Sequence, residues 1–179
     1  MPEGEDPDRA TVERVRAGER QLFGELARKY RIEIQRLVRA YVKTEEEAED
    51  LAQQTFIQAL RGLDGFRAEA TFRTWLHRIA TNLSMNYARD SKHGRTVSLE
   101  DVELITNALG TGKMAAREAR RKLAAAVERL PPKQRQVVEL RLIHEMSFRA
   151  VGEIMAISEA SAKANYQHAV KKLREWATS

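Results

Sequence analysis

Cysteine is absent from the 179 residues, which excludes disulfides, thiol nucleophiles and thiolate metal sites together. Glycine and proline are scarce: nine and four, or 13 of 179 residues, about half the usual share of roughly 12%. The prolines stand only at positions 2, 7, 131 and 132, so residues 8–130 contain none. Proline breaks helix interiors, and so long a span without it predicts a chain of helices. No apolar run approaches the roughly 18 residues of a membrane span. The opening residues MPEGEDPDRA are acidic with no apolar core, which does not fit a secretory signal. Nor is one sign of charge dominant: 31 Lys and Arg against 26 Asp and Glu leave a formal net charge of +5. The four histidines, at 77, 93, 144 and 168, form no short metal-binding pair, and no phosphate-cradling glycine loop occurs. No metal or cofactor is therefore expected, and the chain does not read as an enzyme. With 42% hydrophobic residues it reads as folded and cytoplasmic.

What is present is helical periodicity. A short helix is predicted around Arg9 to Arg16, with Gly18 at the break. Leu22, Phe23, Leu26, Tyr30, Ile34, Leu37, Val38 and Tyr41 then step by threes and fours along one long helix. Thr44 followed by Glu47 is a capping box, opening a helix with the stripe Ala48, Leu51, Ala52, Thr55, Phe56, Ala59, Leu60 and Leu63, ended by Gly62 and Gly65. A further helix from about Ala70 to Arg89 would bury Phe72, Trp75, Leu76, Ile79, Ala80 and Leu83. From Ser91 to Gly112 periodicity fades into glycine, Ser, Thr and the acids Glu100, Asp101 and Glu103. Helices resume near Lys113, stop at Pro131-Pro132, and continue over Lys133 to Ile143, Ser147 to Met155 and Glu159 to Trp176. The expectation is an all-α protein of two small helical domains, 1–92 and 113–179, joined by a flexible acidic linker over 93–112.

Three surfaces carry candidate chemistry. Residues 147–173 have the shape of a helix-turn-helix, with its turn at Ala156-Ile157-Ser158 and Ser158 as cap. Ala162, Tyr166, Ala169 and Leu173 fall on the inward face of the second helix, leaving Lys163, Ala164, Gln167, His168 and Lys171 outward. Such a face suits the DNA major groove; a solvated face on an ordinary bundle helix fits the pattern nearly as well. The acids Glu45, Glu46, Glu47, Glu49 and Asp50 are favourable at a helix N-terminus without any partner, yet they exceed what capping requires and suit a basic protein surface, with Gln53, Gln54, Gln58 and Arg61 exposed beyond them. The helix from Ala70 has a polar side of Arg73, Thr74, His77, Arg78, Thr81, Asn82, Asn86 and Arg89, with Phe66, Phe72 and Trp75 at its entrance. Amide and basic groups beside aromatics fit single-stranded nucleic acid. Core packing is the plainer reading for Trp75 and a weaker one for Phe66, which lies between helices.

These residues resemble a known family, the extracytoplasmic-function (ECF) sigma factors of bacterial RNA polymerase. EAEDLAQQTFIQAL (47–60) is similar to the family's core-polymerase-binding segment, and FRAEATFRTWLHRIATN (66–82) to its promoter-melting and minus-ten-reading segment. LPPKQRQVVELRLIHEMSFRAVGEIMAISEASAKANYQHAVKKLR (130–174) resembles the domain that reads the minus-thirty-five element. The resemblance implies polymerase binding through Glu47, Asp50, Gln53 and Gln54, with Phe56 supporting from the core. It implies minus-ten contacts at Phe66, Arg67, Thr71, Trp75, Arg78, Asn82 and Asn86, with Phe66 in a loop that captures a flipped base. It implies minus-thirty-five contacts at Ser161, Lys163, Ala164, Asn165, Gln167, His168 and Lys171. The sequence departs from the family pattern at Ala156, where the turn glycine is usual, and at Ala160-Ser161 for the usual Gly-Thr. Asn165 and His168 stand where relatives are often basic.

The expected function is that of an alternative sigma factor without catalysis of its own. Its expected partners are core RNA polymerase, promoter DNA and an anti-sigma factor, and no membrane insertion is expected. A helix-turn-helix regulator that never enters polymerase is the runner-up; it accounts for the second domain but not for the motifs of the first.

Overall fold

The computed structural model of the chain describes residues 6–91, 99–109 and 117–178. The described residues are helical, without a strand, and fall into two compact units, Met1–Gly94 and Arg95–Ser179. Residues 1–5, which begin the acidic opening discussed above, lie outside the described residues, as do 92–98 and 110–116.

The first unit is built from α1 (Arg9–Arg16), α2 (Phe23–Arg39), α3 (Glu45–Gly62) and α4 (Phe72–Asp90), with single 3-10 turns at Arg20–Leu22 and Leu63–Gly65. The buried face of α3 is made of small residues, Ala48, Ala52, Thr55 and Ala59, around Leu51. Short side chains let α2 and α4 approach closely, and the Thr55 hydroxyl turns back to the Leu51 carbonyl at 2.9 Å. Phe72 sits at the centre with none of its surface exposed. Its ring lies 6.4 Å from Phe23, 5.9 Å from Tyr30, 6.3 Å from Phe66 and 5.9 Å from Trp75, in edge-on or tilted arrangements that aromatic quadrupoles favour.

The second unit comprises α5 (Leu99–Ala108), α6 (Arg117–Arg129), α7 (Pro132–Leu142), α8 (Phe148–Met155) and α9 (Glu159–Thr178). Pro132 at the first turn of α7 loses no intrahelical bond. One core gathers Val102, Ile105, Leu109, Leu123, Val127, Leu130, Val138, Ala169 and Leu173; a second gathers Val137, Leu140, Met146, Val151, Ile154 and Ala162, and Tyr166 packs against both.

Helix α5 corrects the reading of 93–112 as a linker throughout. Its Val102 and Ile105 are completely buried, with Leu109 just beyond its end buried beside them. The three apolar residues step by three and four, a helical stripe that the flanking acids and the glycines at 94, 110 and 112 obscure. The outer parts of that segment, 93–98 and 110–112, and the start expected near Lys113 lie outside the described residues.

Candidate polymerase and nucleic-acid interfaces

Helix α3 opens on the capping box its sequence predicts. Thr44 Oγ1 accepts from the Glu47 N–H at 3.2 Å, and Glu47 Oε2 accepts from the N–H groups of Thr44 at 2.9 Å and Lys43 at 2.8 Å. The other carboxylate oxygen accepts from the Tyr87 hydroxyl at 2.7 Å. These bonds, the Tyr87 bond first, hold the Glu47 carboxyl at about 2. The same bond raises the Tyr87 phenol above its ordinary value. Both oxygens of Glu47 are thus engaged within the unit, a structural role that differs from the expected contact with polymerase.

The rest of that surface is open. Asp50, Gln53 and Gln54 are exposed, and Phe56 is half-buried against the core. Two residues join them that sequence reasoning missed or misplaced: Ile57 is 42% exposed and Leu60, assigned above to the buried stripe, is 38% exposed. The signal for Ile57 was its helical angle, off the stripe of Ala48, Ala52, Thr55 and Ala59. Leu60 follows Ala59 at the stripe's edge, and packing alone decides its side. A polar face with aliphatic residues at its middle has the make-up of a protein–protein contact.

The loop 63–71 and α4 correct several expectations. Phe66 is 5% exposed. It stacks 5.1 Å from Trp75 and meets the edge of Phe72, so the loop position does not free the ring: the aromatic cluster around Phe72 takes it in. Arg67, next in the loop, is exposed, and Ala68 adopts a left-handed conformation with φ of 54°. Thr71 caps α4, its Oγ1 accepting from the Thr74 N–H at 3.2 Å. Trp75 is half-buried.

On α4 itself, Arg78, Asn82, Asn86 and Arg89 are exposed and succeed one another every three or four residues, one continuous face of donors and amides. Thr74, His77 and Thr81, expected on that face, are buried. The burial of His77 rests on polar pairing. Glu33 of α2 receives His77 Nε2 at 2.9 Å and Arg73 Nε at 2.9 Å, with a second bond from Arg73 Nη2. Burial pushes the Glu33 carboxyl up, but the bonds from His77 and Arg73 outweigh it and hold the group at about 2. Burial lowers His77 below its ordinary value, against the pull of Glu33.

In the second unit the helix-turn-helix forms as its pattern predicts. Ser147 caps α8, accepting from the Ala150 N–H at 3.1 Å. Helix α8 ends on Ala156 in a left-handed conformation, φ 53° and ψ 45°, and the Ile157 N–H returns to the Gly152 carbonyl at 2.9 Å. Gly152 is required there: a Cβ would lie 2.7 Å from the Ile157 carbonyl oxygen. Ser158 Oγ accepts from the Ser161 N–H at 3.1 Å and opens α9. Ala162, Ala169 and Leu173 are buried and Tyr166 half-buried, its ring 5.4 Å from Phe148. Ser161, Lys163, Ala164, Gln167, His168 and Lys171 are all exposed. Asn165 is half-buried, and its Nδ2 donates to the Ser161 carbonyl at 2.9 Å, which ties its amide to the helix. Lys163 pairs with Glu159 at 2.8 Å across one exposed turn.

No helix among the described residues is long and apolar enough to cross a membrane. Two family models match the chain: Sigma-70 region 2 over residues 26–94 and Sigma-70, region 4 over residues 120–173. The chain is 32% identical over 161 residues to the ECF RNA polymerase sigma-E factor of Haemophilus influenzae, covering 83% of each chain. It is 28% identical over 174 residues to the ECF RNA polymerase sigma factor SigW of Bacillus subtilis, covering 92% of this chain and 93% of the other. Among solved structures, CnrH in complex with the cytosolic domain of CnrY superposes with a TM-score of 0.70 at 23% identity, over 94% of this chain and 95% of that one.

Proposed function

The chain belongs to the ECF sigma factors of bacterial RNA polymerase, and from that membership we propose a division of labour among its three exposed faces. The protein is an alternative sigma factor: it binds core RNA polymerase and directs promoter-specific initiation of transcription. The face of α3 formed by Asp50, Gln53 and Gln54, with Ile57 and Leu60 at its apolar middle, binds core polymerase. Phe56 supports that face from beneath, and Glu47 fixes the start of its helix. The face of α4 formed by Arg78, Asn82 and Asn86, together with Arg67 of the preceding loop, contacts the melted minus-ten strand. Phe66, Trp75 and Thr71 hold that surface in place, the rings through packing and the threonine as cap.

The third face, on α9, reads the minus-thirty-five element. Lys163, Gln167 and His168 project together, and Ala164 leaves room for close approach to base edges. Lys171, one turn further on, meets the phosphate backbone, which sets register and carries little sequence information. Ser161 and Asn165 shape the helix start. A net charge of +5 makes binding of free DNA weak and salt-sensitive, so polymerase serves as the platform that adds the two DNA contacts through effective concentration. The protein acts without catalysis, metal or cofactor, in the cytoplasm, under control of an anti-sigma factor that covers the α3 face.

The observation that carries this reading is the exposure of the α3, α4 and α9 faces at the positions where the three family motifs fall. It is tested on the α3 face, because the helix-turn-helix regulator reading makes no demand for polymerase. Replacing Asp50 and Gln53 together with Ala should weaken the complex with core enzyme in the absence of DNA while circular dichroism stays helical. Unchanged affinity in that double variant would remove the assignment.

A further inference from the structure

The loop 63–71 is bracketed by the segment 6–16, which contains α1 and has no assigned role. At its far end, Asp6 Oδ2 accepts from the N–H of Phe72, the first residue of α4, at 2.7 Å, while Asp6 Oδ1 accepts from the Asp8 N–H at 3.1 Å. Thr71 already serves the N–H of Thr74, so α4 starts on two side-chain acceptors, one local and one 66 positions away in sequence. At the near end, Arg16 Nη2 donates to the Asp64 carbonyl at 3.2 Å. Between those ends α1 is immobilised: Val12 and Val15 are buried in the core, and the buried Asp8 carboxylate takes bonds from the Tyr30 hydroxyl and the Lys29 ammonium. The loop itself carries the exposed Ala68 in a left-handed conformation, which is unfavourable for an L-residue.

We propose that residues 6–16 are a positioning clasp for the loop 63–71, in which Asp6 and Arg16 hold its two ends and so set which base the loop accepts from the melted strand. The proposal rests on the reading of that loop as a minus-ten contact. Asp6 and Arg16 are positioning residues that act through the loop. Asp6 fixes where the loop joins α4, hence the placement of Arg67 relative to Arg78 and Asn82. Arg16 fixes where the loop leaves α3. A clasp of this kind makes base discrimination depend on side chains that stand off the DNA.

The test uses the full chain with core polymerase on a promoter library randomised through the minus-ten element. The variants are Asp6→Ala, Asp6→Asn, Arg16→Ala and Arg67→Ala. Asp6→Ala and Arg16→Ala should each reduce base discrimination at one position, the same one that Arg67→Ala alters, by about fivefold, the ratio corresponding to one lost side-chain hydrogen bond. Affinity for core enzyme and minus-thirty-five preference should stay as in wild type. Asp6→Asn should keep most of the discrimination, because its amide oxygen still accepts from Phe72. Arg16 is exposed, so its variant carries the test even where Asp6→Ala unfolds the unit. In Arg16→Ala, a uniform loss over all sequences, lowered affinity for core enzyme, or unchanged discrimination would each overturn the clasp. If Arg67→Ala alters a position and the clasp variants alter none, the clasp alone falls. If Arg67→Ala alters none, the loop reading has failed and the clasp falls with it.

Discussion

Helices α4 and α9 both present an outward polar face, but they are seated in opposite ways. Helix α9 rests on small and aliphatic residues, Ala162, Ala169 and Leu173, and none of its fully buried residues is polar. Helix α4 rests partly on polar groups, since Thr74, His77, Thr81 and Ser84 are buried along with Phe72, Leu76 and Ala80. An apolar seat needs only shape, whereas a polar one needs partners, because a buried polar group without a hydrogen bond is costly. For α4, Glu33 of α2 holds His77 and Arg73, Thr71 Oγ1 donates to Thr74 Oγ1 at 3.0 Å, and Asp6 of the N-terminal segment holds the Phe72 N–H. The Ser84 hydroxyl is buried without a hydrogen-bond partner among the described residues. The seat of α4 therefore depends on hydrogen bonds from α2 and the N-terminal segment, and the seat of α9 on apolar packing into the two cores of the second unit.

The largest expected effect separates the two seats directly. Phe72→Ala removes the centre of the aromatic cluster in the first unit and should destabilise it by about 3–5 kcal/mol. Hydrogen exchange on the full chain should show protection lost over α1 to α4 while α6 to α9 keep theirs. Loss of protection in both units at once would mean that they do not fold as separate bodies.

Acid should act on the polar seat next. The Glu33 carboxyl is depressed in the fold from 4.5 to about 2, so its stabilisation is present above 4.5 and is lost as pH falls from there toward 2, on the order of 2 kcal/mol. His77 works in the same direction from higher pH: its folded value lies below 6.5, so the unfolded chain takes up the proton first. Glu33→Gln should lower stability at neutral pH and flatten the loss between pH 4.5 and 2, read from thermal melts across that range. An unchanged acid slope in the variant would mean that the network is not what stabilises the seat of α4.

The turn before α9 offers two changes of opposite sign. Gly152→Ala places a Cβ 2.7 Å from the Ile157 carbonyl oxygen and should destabilise the second unit by about 1–3 kcal/mol. Ala156→Gly removes a left-handed alanine and should stabilise it by about 1 kcal/mol. Denaturant titrations of the two variants should move the midpoint of the second unit in opposite directions; two shifts of the same sign would mean that the turn is not the controlling geometry.

The same contrast explains which parts were legible in the sequence. The outward and inward positions of α9 followed from residue type because its inward side is small, aliphatic and aromatic over 162, 166, 169 and 173. On α4 that logic placed Thr74, His77 and Thr81 outward, since nothing in a linear pattern announces that Glu33, 44 positions before His77, supplies a buried partner. Phe66 was expected free because it lies between helices, but an aromatic cluster draws in a loop ring as readily as a helical one. The Thr44–Glu47 capping box was legible as a local motif, and the Tyr87 bond that completes it was not. Helix α5 was hidden by the acids interleaved with its apolar stripe, of which Asp101 is itself buried. On the candidate interfaces, Asp50, Gln53 and Gln54 could be placed from helical angle alone, and the exposure of Leu60 could not.

The central claim is that α4 meets melted DNA and α9 meets duplex DNA within one initiation complex. A photocrosslinking side chain placed at position 82, and separately at position 167, in the full chain bound to polymerase and promoter tests it most directly. The account predicts that position 82 crosslinks to single-stranded bases of the minus-ten element only in the open complex. Position 167 should crosslink to the minus-thirty-five duplex in both closed and open complexes. Crosslinks from position 82 to duplex alone, or from position 167 to polymerase and not to DNA, would contradict it.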